Sequence, residues 1–321
     1  MYKEKRRSTS EFIALRGLNY HVRCWQNTSA PSSMPALVLV HGWMDVAASY
    51  QFMVDALSDA FTAGRTIIAP DWRGFGLTNS VAKSDAESPV KSDTVSTADN
   101  FWLPDYLADL DFLLDHYAPN QPVDLVGHSM GGNIAMIYSG VRPERIRRLV
   151  NLEGFGLAPS TPAQAPGRYA KWMDQLKSLH KGELDLKAYD DISGVATRLM
   201  KTNSRLNQDK ANWLASHWAR QTPAGTWQIL GEPGHKVVNA NIYQVQETLE
   251  VYKRITAPVL AVEASEDSLD KWHQGRYTLA DYHQRLKLVT NATVARVEDA
   301  GHMLHHDQPE KLAGMIEDFL G

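Results

Sequence analysis

Val123-Asp124-Leu125-Val126-Gly127-His128-Ser129-Met130-Gly131-Gly132-Asn133 is the stretch that decides the fold. Residues 123–126 have strand character, and residues 133–141 carry apolar side chains at helical spacing. Between them stands Gly-x-Ser-x-Gly, so the serine sits on a tight strand-to-helix turn. Bulky side chains two before and two after that serine would collide with neighbouring backbone. Gly127 and Gly131 meet that demand. Ser129 is then expected to project above the sheet edge in a strained conformation. The following helix aims its N-terminus at the oxygen that becomes negative when the serine attacks.

Outward from this elbow, strand-length apolar runs alternate with helical patterns. Residues 11–15 and 18–25, divided by Arg16-Gly17, read as two antiparallel strands. Residues 36–40, 66–69, 146–152, 258–262 and 293–297 read as strands buried on both faces. Helical spacing marks residues 50–61, 102–116, 270–288 and 309–320. The alternation predicts an α/β fold with a mostly parallel sheet covered on both sides. Two segments interrupt it. Residues 80–99 are rich in Ser, Asp, Lys and Thr and read as a surface loop. Residues 157–253 hold helical patterns at 168–179 and 209–220 and turn-like pieces at 222–225 and 231–234, with no buried parallel strand evident. They predict a largely helical insertion, leaving 1–156 and 254–321 as one core domain.

Composition narrows the function. The chain has 321 residues, a formal net charge of −4 and 43% hydrophobic residues. A basic footprint for nucleic acid is missing, so no nucleic-acid partner is expected. The one basic run, Lys3-Glu4-Lys5-Arg6-Arg7, reads as a solvated tail. No stretch reaches about 18 consecutive apolar residues, which predicts no membrane span. The N-terminal residues lack the apolar segment of a secretory signal, and a cytoplasmic location is expected. Cys24 is the single cysteine. It permits no intrachain disulfide and reads as inert core. The 12 histidines show no metal-ligand spacing, and neither a metal nor a cofactor is expected. Oligomeric state is not legible.

A serine hydroxyl needs a base, and the base needs an orienting carboxylate. After this elbow the partners follow in the order acid, then histidine. Asp299-Ala300-Gly301-His302-Met303 directly follows the last strand, which nominates His302 as the base. His305 and His306 read as polar surface at the start of the last helix. For the acid, Glu263-Ala264-Ser265-Glu266-Asp267 follows the strand at 258–262 and offers three carboxylates. Asp267, farthest onto the loop, is favoured and Glu266 comes second, while Glu263 lies too close to the strand. Glu153, just past the strand at 146–152, is a fourth candidate. The oxyanion hole needs two backbone N–H donors. Met130 supplies one, and the loop His41-Gly42-Trp43-Met44-Asp45 supplies the other through Trp43, whose indole would overhang the substrate. His41 reads as a brace for that loop.

In these motifs the chain resembles the α/β-hydrolase fold family. His41-Gly42, Asp71-Trp72-Arg73-Gly74-Phe75-Gly76, Gly127 to Gly132 and Gly301-His302 match the family's motifs in order. The loop at 41–45 looks similar to that of serine hydrolase-like proteins and of bacterial cap-containing esterases. The resemblance implies an eight-stranded sheet whose first two strands run antiparallel to the rest. It also implies that 157–253 is a cap inserted after the sixth strand. Asp71 and Arg73 are then structural, and Phe75 lines the substrate pocket beside Trp43. Most of the aromatics Tyr169, Trp172, Trp213 and Trp218 would pack the cap onto the body. Ser129 disfavours the chemistry of relatives with an aspartate nucleophile, such as haloalkane dehalogenases and epoxide hydrolases. Ala264 stands where the family usually has a glycine. The expected activity is hydrolysis of a short-to-medium acyl or aryl ester by water. Lactone, thioester, amide and carbon–carbon hydrolysis, perhydrolysis, cyanohydrin lysis and a non-hydrolytic receptor role are the alternatives.

Overall fold

The computed structural model describes residues 2–25, 34–80 and 99–321. Strands β1 (Ser8–Leu15) and β2 (Leu18–Trp25) form a hairpin. There follow β3 (Leu37–Val40), α1 (Gln51–Ala56), α2 (Asp59–Thr62), β4 (Ile67–Pro70), the short β5 (Asn79–Ser80) and α3 (Leu103–Tyr117). The elbow region comprises β6 (Val123–His128) and α4 (Met130–Val141), and β7 (Ile146–Leu152) comes next. The inserted segment contains α5 (Ala165–His180), β8 (Ala188–Tyr189), α6 (Ile192–Thr202), α7 (Gln208–Trp218), β9 (Ala219–Gln221), β10 (Trp227–Ile229) and α8 (Val245–Tyr252). The chain then returns through β11 (Val259–Ala264), α9 (Ser268–His273), α10 (Leu279–Leu286), β12 (Ala292–Val297), α11 (Leu304–Asp307) and α12 (Pro309–Leu320).

The main sheet runs β1-β2-β4-β3-β6-β7-β11-β12, with β5 paired to β2. Six strands from β4 to β12 are parallel. Only β2 opposes its neighbours β1 and β4, which corrects the expectation that both of the first strands would run against the rest. A hairpin reverses direction once, so β1, folded back on an already opposed β2, regains the sense of the body. β3, β4, β6 and β11 are buried along their whole length, as strands covered on both faces must be. One apolar cluster lies between the sheet and α3, α4 and α10, and a second between the sheet and α1 and α12.

The inserted segment is built mainly of helices, as expected, and adds a small antiparallel sheet β8-β10-β9. Its α6 and α7 share a third cluster that takes in Phe52 of α1. Residues 74–76 and 230–232 are stitched by backbone hydrogen bonds, Gly76 N–H to Leu230 O at 3.0 Å and Glu232 N–H to Gly74 O at 2.9 Å. Helix α8 packs on α4, where the Val251 carbonyl approaches Gly140 so closely that a Cβ would lie 2.2 Å from its oxygen.

The basic run is not a solvated tail. Asp55 on α1 accepts the backbone N–H groups of Lys5 (3.0 Å) and Arg6 (2.7 Å), and Gln51 donates to the Arg6 carbonyl. Tyr2 packs edge-on against Phe52 and Trp213, and Trp213 donates to Glu4. One half-buried carboxylate facing two backbone donors ties the segment down despite its charge. Of the loop expected at 80–99, residues 81–98 lie outside the described residues. Among the described residues no helix is long and apolar enough to cross a membrane.

Candidate active site

Ser129 has φ 52° and ψ −114°, the strained conformation expected of the elbow. Its N–H donates to Leu152 O at 2.8 Å, fastening the turn to the end of β7. The two glycines are required by contact. A Cβ on Gly127 would lie 2.5 Å from Gly131 O, and one on Gly131 would lie 2.2 Å from Val40 O. Met130 opens α4, where N–H groups have no acceptor within the helix. The loop after β3 passes beside the elbow, with the Cβ direction of Gly42 meeting Ser129 Cβ at 3.1 Å. Trp43, next on that loop, is 55% exposed.

His302 stands on the loop between β12 and α11. The loop is held from both sides, by Gly301 N–H to Asp307 Oδ2 (2.9 Å) and by Ala300 N–H to Ser265 Oγ (3.2 Å). His128, the residue before the serine, donates from Nε2 to the His302 carbonyl at 2.8 Å. His302 Nδ1 lies 3.3 Å from Glu153 Oε2. Glu153 is buried, at 3% exposure, and is the first residue past β7 with φ 56°. Its Oε1 accepts Ala264 N–H at 2.7 Å, and its Oε2 accepts the Ser268 hydroxyl at 2.8 Å. Burial pushes the carboxyl up to about 7 against the pull of those two donors, and the charge of Asp267 adds to the rise.

The carboxylate facing His302 Nδ1 is therefore Glu153, whereas the sequence favoured Asp267. Asp267 is exposed, and its Oδ1 accepts Leu269 N–H at 2.8 Å, turning the chain into α9. Glu266 points outward to Arg205 of the inserted segment, 3.0 Å away, and Glu263 pairs with His283. The reason is lateral position. β7 lies between β6 and β11, so Glu153 starts one strand nearer the serine. Asn151 shapes its turn, accepting Gly154 N–H at 3.1 Å and donating to Gly154 O at 2.8 Å.

His41 braces its loop as expected, with Nδ1 donating to Gly42 O (2.8 Å) and Nε2 accepting Trp72 N–H (2.9 Å). Burial lowers its pKa to about 4, so it is neutral there. Asp71 accepts Ala47 N–H (2.7 Å) and Leu77 N–H (2.8 Å) and pairs with His21. Burial alone would push its carboxyl up, but the hydrogen bond and charge of His21 hold it below its ordinary value. Arg73 forks onto buried Asp109 at 2.6 and 2.7 Å. Both residues are structural. Phe75 is buried and stacked on His235 of the inserted segment, ring centres 3.7 Å apart. Cys24 is buried in the core, with its thiol pushed up to about 12 by burial.

His305 and His306 are buried, which corrects the surface reading. Both reach Ser49 Oγ, at 3.1 and 2.7 Å, and α11 turns them inward under the elbow. Trp272 was missed. It is 47% exposed and meets the His302 ring edge-on at 4.2 Å. An aromatic five residues past Asp267 was the available signal. Of the aromatics in the inserted segment, Trp213 packs on Tyr2 and Phe52 and Trp172 donates to Asn100, while Tyr169 is 47% exposed.

A family profile described as alpha/beta hydrolase fold matches residues 35–309. The chain belongs to the α/β-hydrolase fold family. This hydrolase is 25% identical over 304 residues to the serine hydrolase-like protein of Danio rerio, covering 90% of this chain and 82% of that one. Among solved structures it resembles a thioesterase domain from the curacin biosynthetic pathway, with TM-score 0.77, 21% identity and coverage of 97% and 99%. An esterase from Mycobacterium tuberculosis gives TM-score 0.64 at 18% identity, with coverage of 98% and 91%. At these identities the two structures show the shared fold alone.

Proposed function

We propose that the chain is a serine hydrolase of carboxylic esters. Ser129 is the nucleophile, His302 the base, Glu153 the acid, and the Trp43 and Met130 N–H groups are the oxyanion donors. The observation that carries this reading is a histidine whose Nδ1 faces a buried, doubly hydrogen-bonded carboxylate, on a loop bonded to the residue before an elbow serine.

Ser129 Oγ attacks the ester carbonyl as its proton passes to His302 Nε2. Glu153 holds the ring through Nδ1–H and stabilises the imidazolium. The two N–H groups stabilise the tetrahedral oxyanion. His302 gives the proton to the leaving alcohol, then draws one from water as the water oxygen attacks the acyl carbon; that proton passes to Ser129 Oγ as its bond to the acyl carbon breaks and the acid leaves. Segment 157–253 acts as a cap. Exposed Trp43 and Trp272 beside the site favour an apolar acyl or aryl group, short to medium in length.

The test combines turnover of p-nitrophenyl esters of graded acyl length, run beside a thioester, an amide and a lactone, with fluorophosphonate labelling. Ester turnover is expected, with the label on Ser129. Ser129→Ala should lose the label and at least about 10⁴-fold in kcat. Full activity in Ser129→Ala overturns the reading. An unlabelled Ser129 with no turnover across the series favours the receptor alternative.

A further inference from the structure

Directly under the elbow, three buried side chains come close together, each with one polar atom that has no hydrogen-bond partner. Asp45 follows the oxyanion loop, His128 ends β6 and His305 lies on α11. Each is buried, and one ligand atom from each lies within 4.8 Å of the other two. Asp45 Oδ2, His128 Nδ1 and His305 Nδ1 have no hydrogen-bond partner. A buried polar atom left unpaired is costly, and native interiors seldom leave one so. Three within so short a distance call for a common partner.

The chemistry of the three can be read from their other contacts. His128 Nε2 faces the His302 carbonyl, which can only accept, so the proton of this imidazole is on Nε2. Nδ1 therefore presents a lone pair. His305 is held on its far side by Ser49 Oγ, the arrangement that orients a ligating imidazole through its other nitrogen. Asp45 is fixed through Oδ1, which accepts Val46 N–H at 2.8 Å, and its Oδ2 is left unpaired among neighbours that include the Ser49 hydroxyl and the Trp218 indole.

We infer that Asp45, His128 and His305 form a buried site for a divalent transition metal of the zinc class. Two imidazole nitrogens and one carboxylate oxygen suit a borderline cation, and a water completes a tetrahedron. Ligand distances of about 2.0–2.2 Å require the three side chains to close on the ion from their present spread. The ion would strengthen the Nε2–H of His128 as a donor to the His302 loop. The site is a fastening between the elbow, the oxyanion loop and α11, and it touches no reacting atom.

The test uses the purified chain incubated with zinc chloride and then desalted. Wild type should retain about one zinc per chain and melt roughly 3–6 °C higher with zinc than without. Asp45→Asn and His305→Gln should each bind at least about tenfold more weakly and lose the shift, whereas His116→Gln, on the exposed end of α3, should match wild type. X-ray absorption of the wild-type zinc form, which needs no variant to fold, should show two imidazoles and a light oxygen shell. No zinc on wild type, full zinc and shift in both ligand variants, or a shell without two imidazoles would each overturn the site.

Discussion

Two carboxylates stand past the ends of adjacent parallel strands, and they have opposite fates. Glu153 follows β7, is buried, and spends both oxygens on Ala264, Ser268 and His302. Asp267 lies beyond β11, is exposed, and caps the start of α9. Their side chains differ by one methylene. What separates them is the distance of each strand from β6 and the shape of the turn that follows it. A strand end delivers a functional group only when the first residues beyond it are pinned. Asn151 closes the residues after β7 into a tight turn, whereas Ser265 and Glu266 after β11 bond sideways to Val297 and Ala300 and the chain then enters a helix.

The largest effect is expected from neutralising each acid in turn. Glu153→Gln should lower kcat on a p-nitrophenyl ester by about 10³–10⁴-fold, as loss of an orienting carboxylate does. Asp267→Asn should stay within about threefold of wild type. A reversed ranking would return the acid to the loop after β11. Next comes the brace. Asn151→Ala leaves buried Gly154 groups unpaired and should cost about 2–3 kcal/mol in urea unfolding. Ser265→Ala, on the other acid's loop, should cost less, because the backbone bonds of Ser265 and Glu266 to Val297 and Ala300 remain, and equal losses would remove the distinction between the two turns.

A subtler contrast lies in pH. The Glu153 carboxyl is held at about 7 in the folded chain against an ordinary value of 4.5. Between those values the folded state keeps a proton that the unfolded state has lost. The stability from this group is thus complete below about pH 4.5 and falls as pH rises to about 7. The span of 2.5 units corresponds to about 3 kcal/mol. Activity should run the other way, since only the carboxylate stabilises the imidazolium. Urea midpoints at pH 5 and 8 should show Glu153→Gln gaining on wild type as pH rises. Parallel profiles would detach the slope from Glu153. The smallest effect is expected from Arg205→Ala, which cuts the exposed pair to Glu266 and should shift stability by less than about 1 kcal/mol.

The fold was legible because its signals are local. The elbow glycines stand in a short motif between a strand run and a helical run, and the buried strands announce themselves as unbroken apolar runs. The proposed roles of Ser129 and His302 are read from the same short motifs, as is the brace at His41. What depended on lateral neighbours was harder. Glu153 and Asp267 both sit just past a strand, and nothing within either stretch states which strand lies nearer the serine. His305 and His306 looked like surface because two histidines at a helix start are polar in isolation; only the packing of α11 under β6 turns them inward. The trio of Asp45, His128 and His305 is spread over a loop, a strand end and a helix far apart in sequence, so no spacing rule connects its members. The basic N-terminal run misled for a related reason. Its charges are local, but the carboxylate that captures its backbone is 49 and 50 residues away.

The hydrogen bond from His128 to the His302 carbonyl has a mechanical consequence. When two working parts are mounted on a common frame, the error in their separation accumulates over every joint between them. By chain connectivity Ser129 and His302 are 173 positions apart, and by way of the sheet two strands, β7 and β11, lie between them. Through His128 there is a single joint, adjacent to the serine on one side and ending on the histidine's own backbone on the other. Breathing of the outer strands or of the inserted segment would then carry the proposed nucleophile and base together, as a tool and its rest bolted to one plate.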